Sequence, residues 1–315
     1  MAKRTIPAER ITFPGLKSTA FEHPMDRTAL EALRKTPGLD KLMKKLASLH
    51  FERIVRIHYT ADSLRLTPKQ CPRQYALLQE ACRILDMPEP DLYLMQTPHV
   101  NAFAIGMERH TIVITSGLVD LMDDDELRCV IGHELGHIKS GHMLYRTMAI
   151  FISMVGLVAA RNLPLVNLLS QAMMYAFYDW SRKSELTSDR AGMLVTQDPD
   201  VSIRTLLKLA GGTLRTNEGL NVEEFLRQAE DFEDMGANLL DMFYQVNMTI
   251  EQTHPFPALR AREVQRWSET NDYQRIMAGD YPHTETAGDE RRCPRCAASV
   301  DNPIFKFCPE CGATL

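Results

Sequence analysis

Apolar positions recur at helical spacing along most of this chain, with a short interruption of period two near its first third. Residues 1 to about 25 lack either period and carry Pro7, Pro14, Gly15 and Pro24, so they read as an irregular arm. Asp26 reads as the cap of a helix through Leu33 that stops at Pro37-Gly38. Helical spacing continues near residues 39–50, 51–64 and 72–86. Asp91 to Gln96 alternates like a strand. Asn101 to Ile105, a turn at Gly106 to Arg109, and His110 to Thr115 predict a β-hairpin. From Leu118 to about residue 276 the helical period returns. The pattern predicts a predominantly α chain with a small β-hairpin or sheet, an α+β fold. It divides into a helical extension over 1–70, a main domain over 71–279, a polar linker over 280–292 and a cysteine-rich tail over 293–315.

One stretch tests how this chain meets water. Thr147 to Ala160 is an uncharged run of 14 residues, and after Arg161 a further 17 uncharged residues run from Asn162 to Tyr178. A membrane-crossing helix needs about 20 apolar residues, and the second run carries Asn162, Pro164, Asn167, Ser170 and Gln171. Their length favours a helical hairpin buried in protein, and a membrane-dipping surface over 147–178 is the competing reading.

Composition narrows the class. Apolar residues at 44% and charged residues at 24% describe a folded globular chain. The net charge of −5 is too mild to favour nucleic acid or anionic lipid by bulk electrostatics. Met1-Ala2-Lys3-Arg4-Thr5-Ile6-Pro7 has no apolar run behind its basic residues, so the expectation is a cytoplasmic protein, with membrane association through 147–178 as the variant.

His133-Glu134-Leu135-Gly136-His137 is an H-E-x-x-H pattern. At 100° per residue, positions i and i+4 share one helical face, so both imidazoles can reach one metal ion. Glu134 then lies beside the first histidine, placed to take a proton from a water on zinc. The pentamer alone is a weak pattern, but its context is helical. Asp123 and Glu126 have the spacing of a capping box, and Leu127, Val130, Ile131, Leu135 and Ile138 form an apolar side. Gly132 and Gly136 cost helix propensity, which predicts a close neighbour. Two histidines do not complete a catalytic zinc site, and a third protein ligand is needed. His142 falls half a turn away on the helical wheel and reads as a surface or capping residue. Glu185 and Asp189 share a face of a later helix, where a ligand with its supporting carboxylate competes with a solvated face.

H-E-L-G-H, an apolar stretch, then S-R-K-S-E-L-T-S-D-R-A-G resembles the gluzincin zinc peptidases of the HtpX and CAAX-prenyl-protease family. The resemblance implies a metallopeptidase domain in which Glu185 is the third zinc ligand and Asp189 supports the first histidine. Ser188 stands where the commoner residue is alanine, a small-for-small change. Asn101-Ala102-Phe103-Ala104 with the following strand is similar to the family's N-A-F-A hairpin, which implies an edge strand that pairs with an extended peptide. Thr253-His254-Pro255 followed by Arg260 resembles the family's H-P-x-x-x-x-R element. That implies a role for His254 beside the metal, either stabilising the transition state or capping the zinc. The resemblance covers roughly residues 70–265.

Cys293-Pro294-Arg295-Cys296, eleven residues, and Cys308-Pro309-Glu310-Cys311 supply two C-x-x-C pairs, the four thiolates of a structural zinc ribbon. Over 289–315 the charges cancel, which disfavours nucleic acid and points to a protein partner or plain stabilisation. The expected cofactors are therefore one catalytic and one structural Zn2+. The expected activity is zinc-dependent endopeptidase cleavage of polypeptides, in the setting of protein quality control. Its rival is a zinc-bound, normally autoinhibited binding or chaperone-like module derived from a peptidase.

Overall fold

The computed structural model describes residues 10–35, 51–106, 109–149, 164–235, 256–283 and 293–296. Helices α1 (Pro24–Arg34), α2 (Phe51–Asp62) and α3 (Pro72–Leu85) precede or interleave with strands β1 (Leu64–Arg65), β2 (Asp91–Met95), β3 (Ala102–Ile105) and β4 (Thr111–Thr115). The remainder is helical: α4 (Ser116–Leu121), α5 (Asp124–Lys139), α6 (142–149), α7 (Pro164–Thr196), α8 (Pro199–Gly211), α9 (Val222–Met235), α10 (Pro257–Ser268) and α11 (Asn271–Met277).

The four strands lie in the order β1-β2-β4-β3. The hairpin pairs β3 with β4 antiparallel, Ala102 opposite Ile114 and Ile105 opposite Thr111. β2 runs parallel to β4, with Asp91 opposite Thr111 and Met95 opposite Thr115. β4 is therefore internal and buried along its length, and β3 forms an end of the sheet. A helical reading of 51–64 overruns by two residues. α2 stops at Asp62, and Leu64–Arg65 pairs with β2 instead, a long-range contact that local spacing does not encode.

α5 packs along α7, and the sequence shows why they approach so closely. A Cβ on Gly136 would stand 2.6 Å from Cβ of Ala191, and one on Gly132 would stand 2.9 Å from Cβ of Val195. Both positions are the loci of contact expected from the two glycines in the zinc-type motif. The start of α5 is also as expected. Asp123 accepts from the Glu126 amide at 2.9 Å and the Glu126 side chain accepts from the Asp123 amide at 3.0 Å.

The N-terminal arm packs into the same core as the later helices. Phe13, Leu16 and Phe21 are buried with Leu85, Ile131 and Val195. Leu30 and Leu33 of α1 join Tyr145, Met148, Phe177 and Trp180 in a second apolar cluster. Arg10 reaches Glu80 at 3.1 Å and Asp125 at 2.7 Å. At the other end Tyr281 is buried, and its hydroxyl donates to the carbonyl of Pro14 at 3.2 Å. Contacts thus cross both sequence boundaries, at 70 and at 280. Asp26 does not cap α1. His23 does, its Nδ1 accepting from the Met25 amide at 3.2 Å, and Asp26 turns inward instead.

The apolar run at 147–160 lies mostly outside the described residues, as does the start of the second run. Among the described residues no helix is long and apolar enough to cross a membrane. Phe177 and Trp180, at the end and just past the second run, are buried in protein.

Candidate active site

α5 presents His133 and His137 one turn apart toward α7, which presents Glu185 and, one turn on, Asp189. All four are buried, Glu185 and His137 completely. The Nε2 atoms of the two histidines are 3.2 Å apart. Glu185 Oε2 lies 3.3 Å from Nε2 of His133, and Oε1 lies 3.2 Å from Nε2 of His137. The ligand-type atoms of these three residues all fall within 4.8 Å of one another.

The outer nitrogens of both rings are engaged, and that decides what the inner ones offer. Nδ1 of His133 stands 2.9 Å from Oδ1 of Asp189, a carboxylate that accepts the ring proton. Nδ1 of His137 stands 2.9 Å from Nδ1 of His142. Both Nε2 atoms and the Glu185 carboxylate converge on one point, and a neutral ring with its proton on the outer nitrogen turns a lone pair toward it. In the metal-free protein a proton held between His133 and Glu185 occupies that point. Glu185 and Asp189 face the guanidiniums of Arg146 and Arg260 here. Two imidazoles and one carboxylate make a donor set that suits zinc.

Arg260, from α10, ties the site to the rest of the molecule. Its Nε donates to Oδ2 of Asp189 at 2.7 Å, its Nη2 to Oδ1 at 2.6 Å, and its Nη1 lies 3.2 Å from Oε2 of Glu185. Arg146, from α6, donates to Oε1 of Glu185 at 2.8 Å. Electrostatics follow this map. Burial would raise the Asp189 carboxyl, yet Arg260 and His133 hold it below its ordinary value of 3.8. Burial would lower His133, yet the hydrogen bonds to Asp189 and Glu185 bring it up to about 9 in the metal-free protein. His137 goes the other way, well below its ordinary value, through burial and the charge of Arg146. Glu134 is buried on the same helix as the two histidines.

His142 corrects a reading from the sequence. It is 1% exposed and touches His137, not solvent. The helical wheel misplaces it because α5 ends at Lys139, and Gly141, at φ +71°, turns the chain before α6 begins. Arg146 and Asp26 were also not legible as site residues, and Arg260 appeared only as a motif landmark. The breaker pair Ser140-Gly141 was the available signal that His142 restarts on a new axis.

Asn101 leads into β3, in which Ala102 and Ala104 are buried and Phe103 is half-buried. Cys293 and Cys296 flank a tight turn in which the Arg295 amide donates to Sγ of Cys293 at 3.4 Å. His254, Cys308 and Cys311 lie outside the described residues.

A helix-borne pair of imidazoles joined by a glutamate from a later helix is a donor arrangement found in zinc-dependent metallopeptidases. Residues 68–268 match the profile of peptidase family M48, and the chain belongs to that family, whose HtpX-like branch it resembles. It is 34% identical over 277 residues to the plastoglobule-localized metallopeptidase 48, chloroplastic, of Arabidopsis thaliana, covering 87% of this chain and 79% of that one. It is 24% identical over 251 residues to protease HtpX homolog 2 of Methanosarcina mazei, covering 70% and 81%. A protease HtpX homolog of Moorella thermoacetica is 27% identical over 199 residues, covering 55% and 65%. No solved structure matches.

Proposed function

We propose that the chain is a zinc-dependent endopeptidase that hydrolyses peptide bonds in polypeptides, with His133, His137 and Glu185 as the zinc ligands. The observation that carries this reading is the convergence of two Nε2 atoms and one carboxylate, all buried, within 4.8 Å of one another. Zinc, when bound, supplies Lewis acidity toward a peptide carbonyl and toward water. The chain's own residues do the rest. Glu134 takes a proton from the attacking water as it adds to the carbonyl carbon, then gives that proton to the amine as the C–N bond breaks. Asp189, locked by Arg260, keeps the His133 proton on Nδ1.

β3 offers the substrate an end of the sheet, where an extended peptide can add as a strand beside Asn101 to Ala104. His254 takes the role of a donor to the developing oxyanion, as the H-P element implies. A second, structural zinc binds Cys293, Cys296, Cys308 and Cys311. The amide-to-sulfur contact within the Cys293–Cys296 turn supports this, because such contacts stabilise a ligating thiolate.

The decisive test is casein cleavage with zinc content measured in parallel. Glu134→Gln is expected to retain metal and lose roughly 10²–10⁴-fold in rate. Unchanged cleavage by that variant rejects the assignment.

A further inference from the structure

We propose that Asp26, on α1, is a positioning residue for His137, acting through His142, so that this N-terminal helix is part of the metal centre. This rests on the reading of His133, His137 and Glu185 as zinc ligands.

The argument follows the protons. His137 turns Nε2 toward Glu185 and His133, and Nδ1 toward Nδ1 of His142. A neutral imidazole that ligates through Nε2 carries its proton on Nδ1. That proton has an acceptor 2.9 Å away, Nδ1 of His142. A ring nitrogen that accepts holds no proton, so His142 carries its own on Nε2. Nε2 of His142 lies 3.1 Å from Oδ2 of Asp26. One carboxylate therefore sets the tautomers of two rings in series. Without an acceptor at position 26, His142 gains nothing by keeping its proton on Nε2. Moved to Nδ1, that proton faces the His137 proton and pushes the ring off the metal.

Asp26 is built for such a post. It is 1% exposed, and three donors from two other helices hold it. Nε1 of Trp180 donates to Oδ1 at 3.0 Å, the Thr187 hydroxyl donates to Oδ2 at 2.6 Å, and His142 completes the set. Thr187 is itself fixed, its oxygen accepting from the His23 amide at 3.0 Å. It also sits two residues past Glu185, so α7 carries both a ligand and the clamp on Asp26. The arrangement mirrors the first histidine: Asp189 orients His133 directly, and Asp26 orients His137 through one more ring. The Leu30 and Leu33 contacts with Tyr145 and Phe177 hold α1 where this requires it.

The experiment uses the full chain and scores the zinc that His133→Ala removes, by competition with a chelator. Asp26→Leu lacks any acceptor and is expected to weaken that zinc by about 10- to 100-fold. Asp26→Asn keeps one oxygen for His142 and is expected to recover part of the loss. Trp180→Phe removes a different bond to Asp26 and is expected to lower thermal stability with zinc affinity unchanged. Nitrogen-15 spectra of the zinc-loaded parent are expected to show His142 protonated on Nε2, a readout that needs no variant to fold. A His142 proton on Nδ1 overturns the proposal. So does parental zinc affinity in Asp26→Leu, or equal damage from Asp26→Leu and Trp180→Phe. A parent chain with no zinc that His133→Ala removes fails the zinc reading itself, a separate result.

Discussion

Arg260 grips Asp189 at two points, with both hydrogen bonds shorter than 2.8 Å although the residues lie 71 positions apart. The guanidinium is 4% exposed and its charge is more than balanced by Asp189 and Glu185. Those carboxylates hold it above its ordinary value despite burial. This is a planar two-point match that lysine cannot reproduce.

Removing one partner of such a buried pair leaves an uncompensated charge. Arg260→Ala is expected to cost about 3–5 kcal/mol in urea unfolding of the metal-free chain. Asp189→Asn is expected to weaken zinc by roughly 10- to 100-fold. With all three variants measured by the same urea unfolding, the double variant should cost less than the sum of the two singles, because both remove the same contact. Additive losses would show that the pair does not act as a unit.

Gly136 sets the spacing between the helices that carry His137 and Glu185. Alanine there is favoured by helix propensity by about 1 kcal/mol, but its Cβ would fall 2.6 Å from Ala191 and 3.0 Å from Cα of Ser188. The backbone contact has no room to give. Gly136→Ala is therefore expected to destabilise by about 1–3 kcal/mol and to lose zinc, read by calorimetry and metal analysis. A stabilised variant with full zinc would show that α5 and α7 can separate freely.

Acid should loosen the tie between α10 and the arm. His23 first, then Arg266, hold the Glu263 carboxyl at about 2 against an ordinary 4.5, in spite of partial burial. A lowered folded-state value contributes stability above 4.5 that is lost as pH falls through 2. Discounted for solvent screening, the contribution is about 1 kcal/mol at most. Thermal scans of metal-free parent and Glu263→Gln should differ near neutrality and converge as pH drops from 5 toward 2. A gap constant with pH would place the effect elsewhere.

The thiols should sort by environment. Burial, then Glu89, pushes Cys82 up to about 12, and burial pushes Cys129 up to about 11. Neither should be alkylated in the native chain at neutral pH, while both label after unfolding. Zinc analysis should return two ions per chain, of which Cys293→Ser with Cys296→Ser removes one. Chelation should then open Cys293 and Cys296 to alkylation. One ion insensitive to the cysteine changes would reject the ribbon.

Much of this molecule is written in local pattern. The H-E-x-x-H face, its Asp123–Glu126 cap, the β3–β4 hairpin and the pairing of Glu185 with Asp189 all follow from periods of 3.6 and 2, and a family resemblance supplied Glu185 its role. Gly132 and Gly136 announced a close neighbour without saying which. Tertiary structure decided the rest. The helical wheel holds only while one axis continues, and at Gly141 it does not, so His142 swung from presumed surface to the back of His137. Asp26, Arg146 and Arg260 come from three other helices, and no spacing rule relates them to residues 133–189. Local sequence selects which atoms a segment can offer along its own axis. Only the packing of separate axes, driven by burial of Leu30, Trp180, Ile131 and Val195, brings distant charges within hydrogen-bond reach of the His133, His137 and Glu185 cluster.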